Sequence, residues 1–136
     1  MVPVEDGFVA IRQGKVFHYD ENAKKLEHVL SLKNCRNVLH QSITVIDGKE
    51  LYFGEYGMNS SGSDVPVYRS LDGGRSWQAI FVFPPGKIKH VHGCYYDPIE
   101  DRRIQKIRLV EPSSKIDSVM EILEGLQWDD EKREPL

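Results

Sequence analysis

The sequence predicts an all-β chain of antiparallel sheets, followed by an α-helix near the C-terminus. Three observations lead to this prediction. Short apolar runs broken by turn residues fill residues 1–110, and apolar residues then recur at helical spacing within residues 111–136. The chain has 136 residues, a net charge of −3 and 40% hydrophobic residues, which fits one folded domain better than a disordered segment.

The strands are predicted from runs of β-branched and aromatic residues between turn signals. About nine strands follow one another at a spacing of roughly 8–15 residues, which is typical of antiparallel meanders. Asp47-Gly48 and Gln13-Gly14 are tight-turn signals between such runs. Pro66 indicates the start of a strand or an exposed edge. The predicted strands are 8–11, 16–19, 26–32, 42–46, 51–53, 65–69, 77–83, 90–96 and 104–110.

The C-terminal segment changes to a helical pattern. Ser113 or Ser114 can cap a helix there, and the charged residues 129–134 predict a solvated tail. The apolar face of this helix would carry Ile116, Val119, Met120, Leu123 and Leu126.

A weak internal repeat groups the strands into units. His40 aligns with His92 at a shift of 52 residues, and Leu26 aligns with Trp77 at a shift of 51. A period of about 40–50 residues with four strands per unit predicts the blades of a β-propeller. The chain would hold about two and a quarter blades, whereas a closed propeller needs about four or more. The predicted blade parts are 8–32 (the last three strands of one blade), 41–83 (a whole blade) and 91–110 (the first two strands of a third).

The most specific string is residues 70–77, Ser-Leu-Asp-Gly-Gly-Arg-Ser-Trp. Its aspartate can accept hydrogen bonds from turn N–H groups, its glycines allow positive φ, and its tryptophan can bury a large ring. The string resembles the Asp-box, or BNR repeat, of sialidase-like β-propellers. The resemblance implies a structural role in the hairpin between a blade's third and fourth strands, and residues 19–26 would be a decayed copy. The box residues are Ser70, Asp72, Gly74, Ser76 and Trp77.

The resemblance covers about residues 8–104 and implies a truncated or split member of that family. The sialidases of that family use an arginine triad, a Tyr/Glu nucleophile pair and an Asp acid, and their first arginine lies in an Arg-Ile-Pro string. The sequence lacks that string, and it offers no placeable pair of carboxylates. We therefore expect a non-catalytic module for carbohydrate binding or scaffolding. The alternatives are a fragment or ring subunit of a glycoside hydrolase or lyase, with Glu55 as its candidate catalytic residue, and an inactive fragment.

Candidate ligand-binding residues fall in two regions of the chain. His90 and His92 alternate on one predicted strand and so share a face, and His40 takes the position of His92 in the preceding blade. These three histidines could converge on an anionic sugar or a divalent metal, or they could be ordinary polar residues of the propeller channel or rim. Residues 55–64 combine tyrosine with small polar residues, which suits sugar recognition but also an ordinary loop. The candidates are His40, His90, His92, Tyr56, Asn59 and Arg69; no other cofactor is expected.

Charge and hydropathy limit the expected partners. The 18 Lys and Arg residues are balanced by 21 Asp and Glu residues, which gives no electrostatic footprint for nucleic acid. The sequence has no apolar run of about 18 residues, and its N-terminus lacks the pattern of a signal peptide, so a cytoplasmic location is the default expectation. Cys35 and Cys94 fit no metal-binding pattern. The remaining partners are a carbohydrate, other copies of the chain (three would give roughly seven blades) or further blades of a longer protein.

Overall fold

The computed structural model describes residues 1–33, 43–57, 59, 61–88, 90–97, 102–110, 119–122, 128–129 and 134–135. Within these residues every regular element is a β-strand, which confirms the predicted all-β class. All strand pairs are antiparallel, and strands that follow one another in the sequence lie side by side. The described chain is therefore a series of antiparallel meanders.

Three sheets form the main body. Sheet I consists of β1 (Val2–Val4), β2 (Gly7–Arg12), β3 (Lys15–Asp20) and β4 (Lys25–Ser31). Sheet II consists of β5 (Thr44–Ile46), β6 (Glu50–Gly54), β7 (Val65–Ser70) and β8 (Gln78–Phe83). Sheet III consists of β9 (His90–Asp97), β10 (Arg102–Val110) and β11 (Val119–Ile122). Two short strands, β12 (Trp128–Asp129) and β13 (Glu134–Pro135), pair with each other.

Local turn chemistry explains the tight hairpins. Gln13 and Gly14 have φ values of 52° and 77°, and Asp47 and Gly48 have φ values of 53° and 70°. Positive φ at consecutive turn residues matches the right-handed twist of the flanking strands. Both predicted turns are confirmed.

Sheet I differs from the prediction because it has four strands rather than the three predicted within 8–32. The additional strand is β1, in which Val2 pairs with Val9 and Val4 pairs with Gly7. Pro3 lies in the middle of β1 and has no N–H to donate, so it weakens the sequence signal and suits an edge strand.

The predicted C-terminal helix is wrong for Val119–Ile122, which form β11. In this strand Val119 pairs with Val110 and Ile122 pairs with Ile107, so sheet III has a third strand beyond the two predicted within 91–110. Short apolar segments fit helical and strand patterns alike, and β-branched residues favour a strand when a neighbouring strand is present to pair with. The rest of the predicted helix, residues 113–118 and 123–126, lies outside the described residues.

Sheet II lies between two hydrophobic clusters. Along β6, Leu51 and Phe53 pack toward sheet I, whereas Tyr52 packs toward β9. Each residue of β6 and β7 is buried, because both faces of these strands are covered. The cluster between sheets I and II contains Val2, Val9, Val16, Leu51, Phe53 and Tyr68, and the cluster facing β9 contains Ile46, Tyr52, Val65, Val67, Phe83, Ile88, Val91 and Cys94.

Two glycines allow the sheets to approach closely. A Cβ at Gly74 would lie 2.3 Å from Cγ2 of Val9 in sheet I. A Cβ at Gly54 would lie 2.3 Å from Cβ of Val91 in β9. No side chain larger than hydrogen fits at either contact, so these two positions set the spacing on both sides of sheet II.

Candidate functional site

The hairpin of residues 70–77, called here the box hairpin, joins β7 to β8. Ser70 Oγ donates to Asp72 Oδ1 at 2.8 Å and accepts from the Gly74 N–H at 2.8 Å. Asp72 also accepts from the Ser76 N–H at 2.9 Å and from the Ser76 hydroxyl at 2.5 Å. Trp77 Nε1 donates to the Gly74 carbonyl at 3.0 Å. Burial raises the pKa of Asp72, but the hydrogen bonds from Ser76 and Ser70 outweigh it and hold that pKa below its usual value.

The box hairpin is tied to sheet I by a cluster of charged side chains. Arg75 Nη2 donates to Asp20 Oδ2 at 2.8 Å and also to Asp6. The buried His18 lies beside the same carboxylate, with its Nε2 3.4 Å from Asp6 Oδ1. The hydrogen bond from Arg75 is the main cause that lowers the pKa of Asp6, and it lowers the pKa of Asp20 to about 2. In return, Asp20 and Asp6 raise the pKa of Arg75.

Asp20 also organises its own turn between β3 and β4. Its Oδ1 accepts from the N–H groups of Asn22 at 2.9 Å and Ala23 at 3.0 Å. This arrangement is an Asx-type turn, and it lies within the residues 19–26 that the sequence analysis interprets as a decayed box. Sequence reasoning did not find the link of Asp20 and Asp6 to Arg75, because these residues are 55 and 69 positions apart and no local motif joins them.

Glu55, the candidate catalytic residue, lies where the three sheets meet. Only 1% of it is exposed. Its Oε1 accepts from the Lys33 N–H at 2.6 Å and from the Tyr68 hydroxyl at 3.1 Å. Its backbone N–H donates to Pro66 in β7, and its carbonyl accepts from the Val91 N–H in β9 at 2.9 Å. The side chain and backbone of Glu55 therefore connect the segment after sheet I, sheet II and β9.

Tyr56 and His90 come together next to Glu55. Their ring centroids are 4.2 Å apart, and the rings are tilted by 54°. His90 is 5% exposed, and its Nδ1 donates to the Gly57 carbonyl at 2.9 Å. The imidazole therefore packs against the partly exposed Tyr56 ring, and its hydrogen bond to Gly57 also holds the loop backbone.

Described polar residues further along the 55–64 loop bond to one another and to Lys33. Asn59, with φ at 44°, uses both ends of its amide on Ser63: Nδ2 donates to the carbonyl at 3.0 Å, and Oδ1 accepts from the N–H at 2.9 Å. Asp64 forms an ion pair with Lys33 at 3.1 Å. Asn59 and Asp64 are therefore held in place within the same loop as Tyr56.

The structure does not bring all of the predicted ligand-binding residues together. Arg69 is buried in β7 and its Nη2 donates to Gln78 Oε1 at 3.2 Å, within sheet II rather than in the loop. His40 lies outside the described residues, and for His92 only its place in β9 is described. Of the three histidines that could bind an anionic sugar or a metal, or be ordinary polar residues, only the His90 side chain is described. The described part of the chain contains no group of three or more His, Cys, Asp or Glu residues suited to a metal ion.

Comparisons of the chain with protein-family models, with curated proteins and with solved structures found no match. In the part of the chain that the structure describes, no helix is long and apolar enough to cross a membrane.

Proposed function

We propose that this chain is a non-catalytic Asp-box β-propeller module that binds carbohydrate at the loop of residues 55–64. Three features support the propeller assignment. Sheets I and II are four-stranded meanders, they pack face to face, and the box hairpin joins the third and fourth strands of sheet II. Propeller blades are four-stranded sheets of this kind.

The observation that carries the carbohydrate assignment is the packing of Tyr56 on His90. A partly exposed aromatic ring, held by a buried partner 4.2 Å away, is a surface on which the apolar face of a sugar ring can stack. Asn59 and Asp64 lie in the same loop and are already held by Ser63 and Lys33. Fixed polar groups in the same loop as an aromatic ring suit the recognition of hydroxyl groups without much ordering on binding.

The surroundings of Glu55 support a module without catalysis. Its carboxylate is buried and engaged by Lys33 and Tyr68, so it is built as a junction between sheets. Glu50, the first residue of β6, is also buried, and its carboxylate accepts from the Tyr52 hydroxyl at 2.8 Å. Because β6 is extended, the Cα atoms of Glu50 and Glu55 lie about 17 Å apart, and the two carboxylates have different partners. They are therefore not a close pair like that of glycosidases, whose carboxylates lie about 5–9.5 Å apart.

A glycoside hydrolase or lyase is the second candidate, and one contact favours it. The Tyr68 hydroxyl donates to Glu55, and a Tyr/Glu pair is the nucleophile of the sialidases that the sequence resembles. That chemistry would require the pair to reach a substrate. The burial of both residues places this candidate second.

The test is ligand-observed NMR of the full chain with a panel of neutral and sialylated oligosaccharides. We expect binding to at least one sugar, and we expect Tyr56→Ala to abolish it. Tyr19→Ala is the matched control, because Tyr19 is also partly exposed but lies in sheet I, and it should leave binding intact. Equal binding by both variants, or no binding to any sugar, would refute the carbohydrate site.

A fluorogenic glycoside assay separates the two candidates. We expect hydrolysis at the level of the buffer blank for both the unmodified chain and the Glu55→Gln variant. Turnover that Glu55→Gln abolishes would overturn the non-catalytic assignment and establish the hydrolase instead.

A further inference from the structure

Sheet I turns one face away from sheet II, and that face is apolar. Phe8 and Tyr19 stack there with ring centroids 4.9 Å apart, and Phe17 packs on His28 at 5.6 Å. Leu26, which pairs with Tyr19 across β3 and β4, is 58% exposed. The apolar part of this outer face consists of Pro3, Phe8, Ala10, Phe17, Tyr19 and Leu26 beside His28, and the pair Arg12 and Lys15 lies at one end of the face.

Sheets I and II present equivalent faces to the sheet that follows each of them in the sequence. In the second strand of sheet I, Val9 packs toward sheet II, and in the second strand of sheet II, Tyr52 packs toward β9. The first strands agree: Val2 packs toward sheet II, and Thr44 donates to the Cys94 carbonyl in β9. Sheets I and II are therefore stacked in the same sense.

Because the two sheets are stacked in the same sense, each face of sheet I has an equivalent face in sheet II. The equivalent of the outer face of sheet I is the face of sheet II that contacts sheet I. Phe8 takes the place of Leu51, which is completely buried between the two sheets. Leu26 takes the place of Trp77, with which it aligns at a shift of 51 residues. Trp77 packs against the cluster between sheets I and II, whereas Leu26 is exposed. The outer face thus has the residues of a sheet-packing surface, but no described sheet covers it.

We infer that the outer face of sheet I is the docking surface for sheet III of a second copy of the chain. Sheet II packs on sheet I, and β9 of sheet III packs on sheet II. If the same packing continues, sheet I of a second copy packs on sheet III of the first. Such a contact joins two different surfaces of the chain and is therefore head-to-tail. In an assembly of two copies, each copy still has one docking surface uncovered. The outer face shares no residue with the loop of residues 55–64, so this inference and sugar binding can fail separately.

The test is the solution mass of the full chain, measured by size-exclusion chromatography with light scattering over a wide concentration range. We expect species larger than a dimer. Leu26→Asp should weaken the association by about tenfold or more, because a carboxylate would be buried against apolar residues. Leu71→Asp is the matched control: Leu71 is 52% exposed but lies on the box hairpin, so it should leave the mass unchanged.

Three results would overturn the inference. These are a monomer at all concentrations, an assembly that stops at two copies, and an equal loss of mass in the Leu26 and Leu71 variants. Circular dichroism and the melting temperature check that each variant is folded. If Leu26→Asp does not fold, Pro3→Glu places a charge on the same face at an exposed edge position and should give the same loss of mass.

Discussion

At the scale of single residues, Arg75 decides how the box hairpin is joined to sheet I. One guanidinium nitrogen contacts two carboxylates, Asp6 and Asp20, that come from the two turns at one end of sheet I. Arg75 is exposed, and isolated surface ion pairs contribute little. Here the two carboxylates share one cation and Asp20 also accepts two backbone N–H groups, so the group acts as a network.

This network should make stability depend on acid. The pKa of Asp20 is lowered from 3.8 to about 2 in the folded chain, chiefly by Arg75. A pKa below its unfolded value means that the contribution is complete above pH 3.8 and is lost as the pH falls toward about 2. The unmodified chain should therefore lose unfolding free energy as the pH falls through this range. We expect the Arg75→Gln variant to lose less over the same range, as measured by urea denaturation. Arg12→Gln, at the exposed end of β2, is the control, and identical acid slopes for both variants would contradict the prediction.

At the scale of secondary-structure elements, β6 is the central strand of the described fold. Its side chains alternate between two hydrophobic clusters, and its end, Gly54-Glu55, contacts β7, β9 and the segment after β4. Strands covered on both faces lack the alternation of polar and apolar residues that marks a half-exposed strand. For β6 the sequence Glu-Leu-Tyr-Phe-Gly thus predicts a strand but not its central place.

Gly54 offers a test of the contact between β6 and β9. Gly54→Ala would place a Cβ 2.3 Å from Cβ of Val91, and we expect a loss of about 1–3 kcal/mol in the free energy of unfolding. Val91→Gly removes the opposing Cβ and both γ-carbons, so in the double variant the loss should be smaller than the sum of the two single losses. Gly62→Ala, at a φ of 63° and with nothing within 4 Å of the added Cβ, gives the cost of backbone strain without a contact, a cost that Gly54→Ala does not carry because the φ of Gly54 is not positive. Additive losses at Gly54 and Val91 would contradict the described contact.

At the scale of the whole molecule, sheet II is the inner layer and should be its most stable part. Native-state hydrogen exchange measures this directly, because exchange of amides in a covered core requires large openings. We expect the slowest exchange at Tyr52 and Phe53, which are buried, and much faster exchange at Leu26 and Glu27 in the exposed strand β4. Similar rates in β4 and β6 would show that sheet II is not the inner layer.

The sequence alone determined the features that depend on neighbouring residues. The Gln13-Gly14 and Asp47-Gly48 turns follow from backbone preferences. The hydrogen bonds among Ser70, Asp72, Gly74, Ser76 and Trp77 each span no more than four positions. Most of the strands follow from the spacing of apolar residues. The exceptions are β1, whose signal Pro3 interrupts, and β11, whose residues fit a helical pattern equally well until β10 lies beside them.

Only the tertiary structure decided what happens between sheets. Glu55 was a candidate because a carboxylate stands at the end of a strand, but its burial depends on Lys33 and Tyr68, which come from other elements. The same holds for Tyr56 on His90 and for Arg75 with Asp6 and Asp20. Local backbone preferences act over a few residues, so they can be recognised in the sequence pattern. Contacts between sheets depend on which faces pack together, and that is settled only when the whole chain has folded.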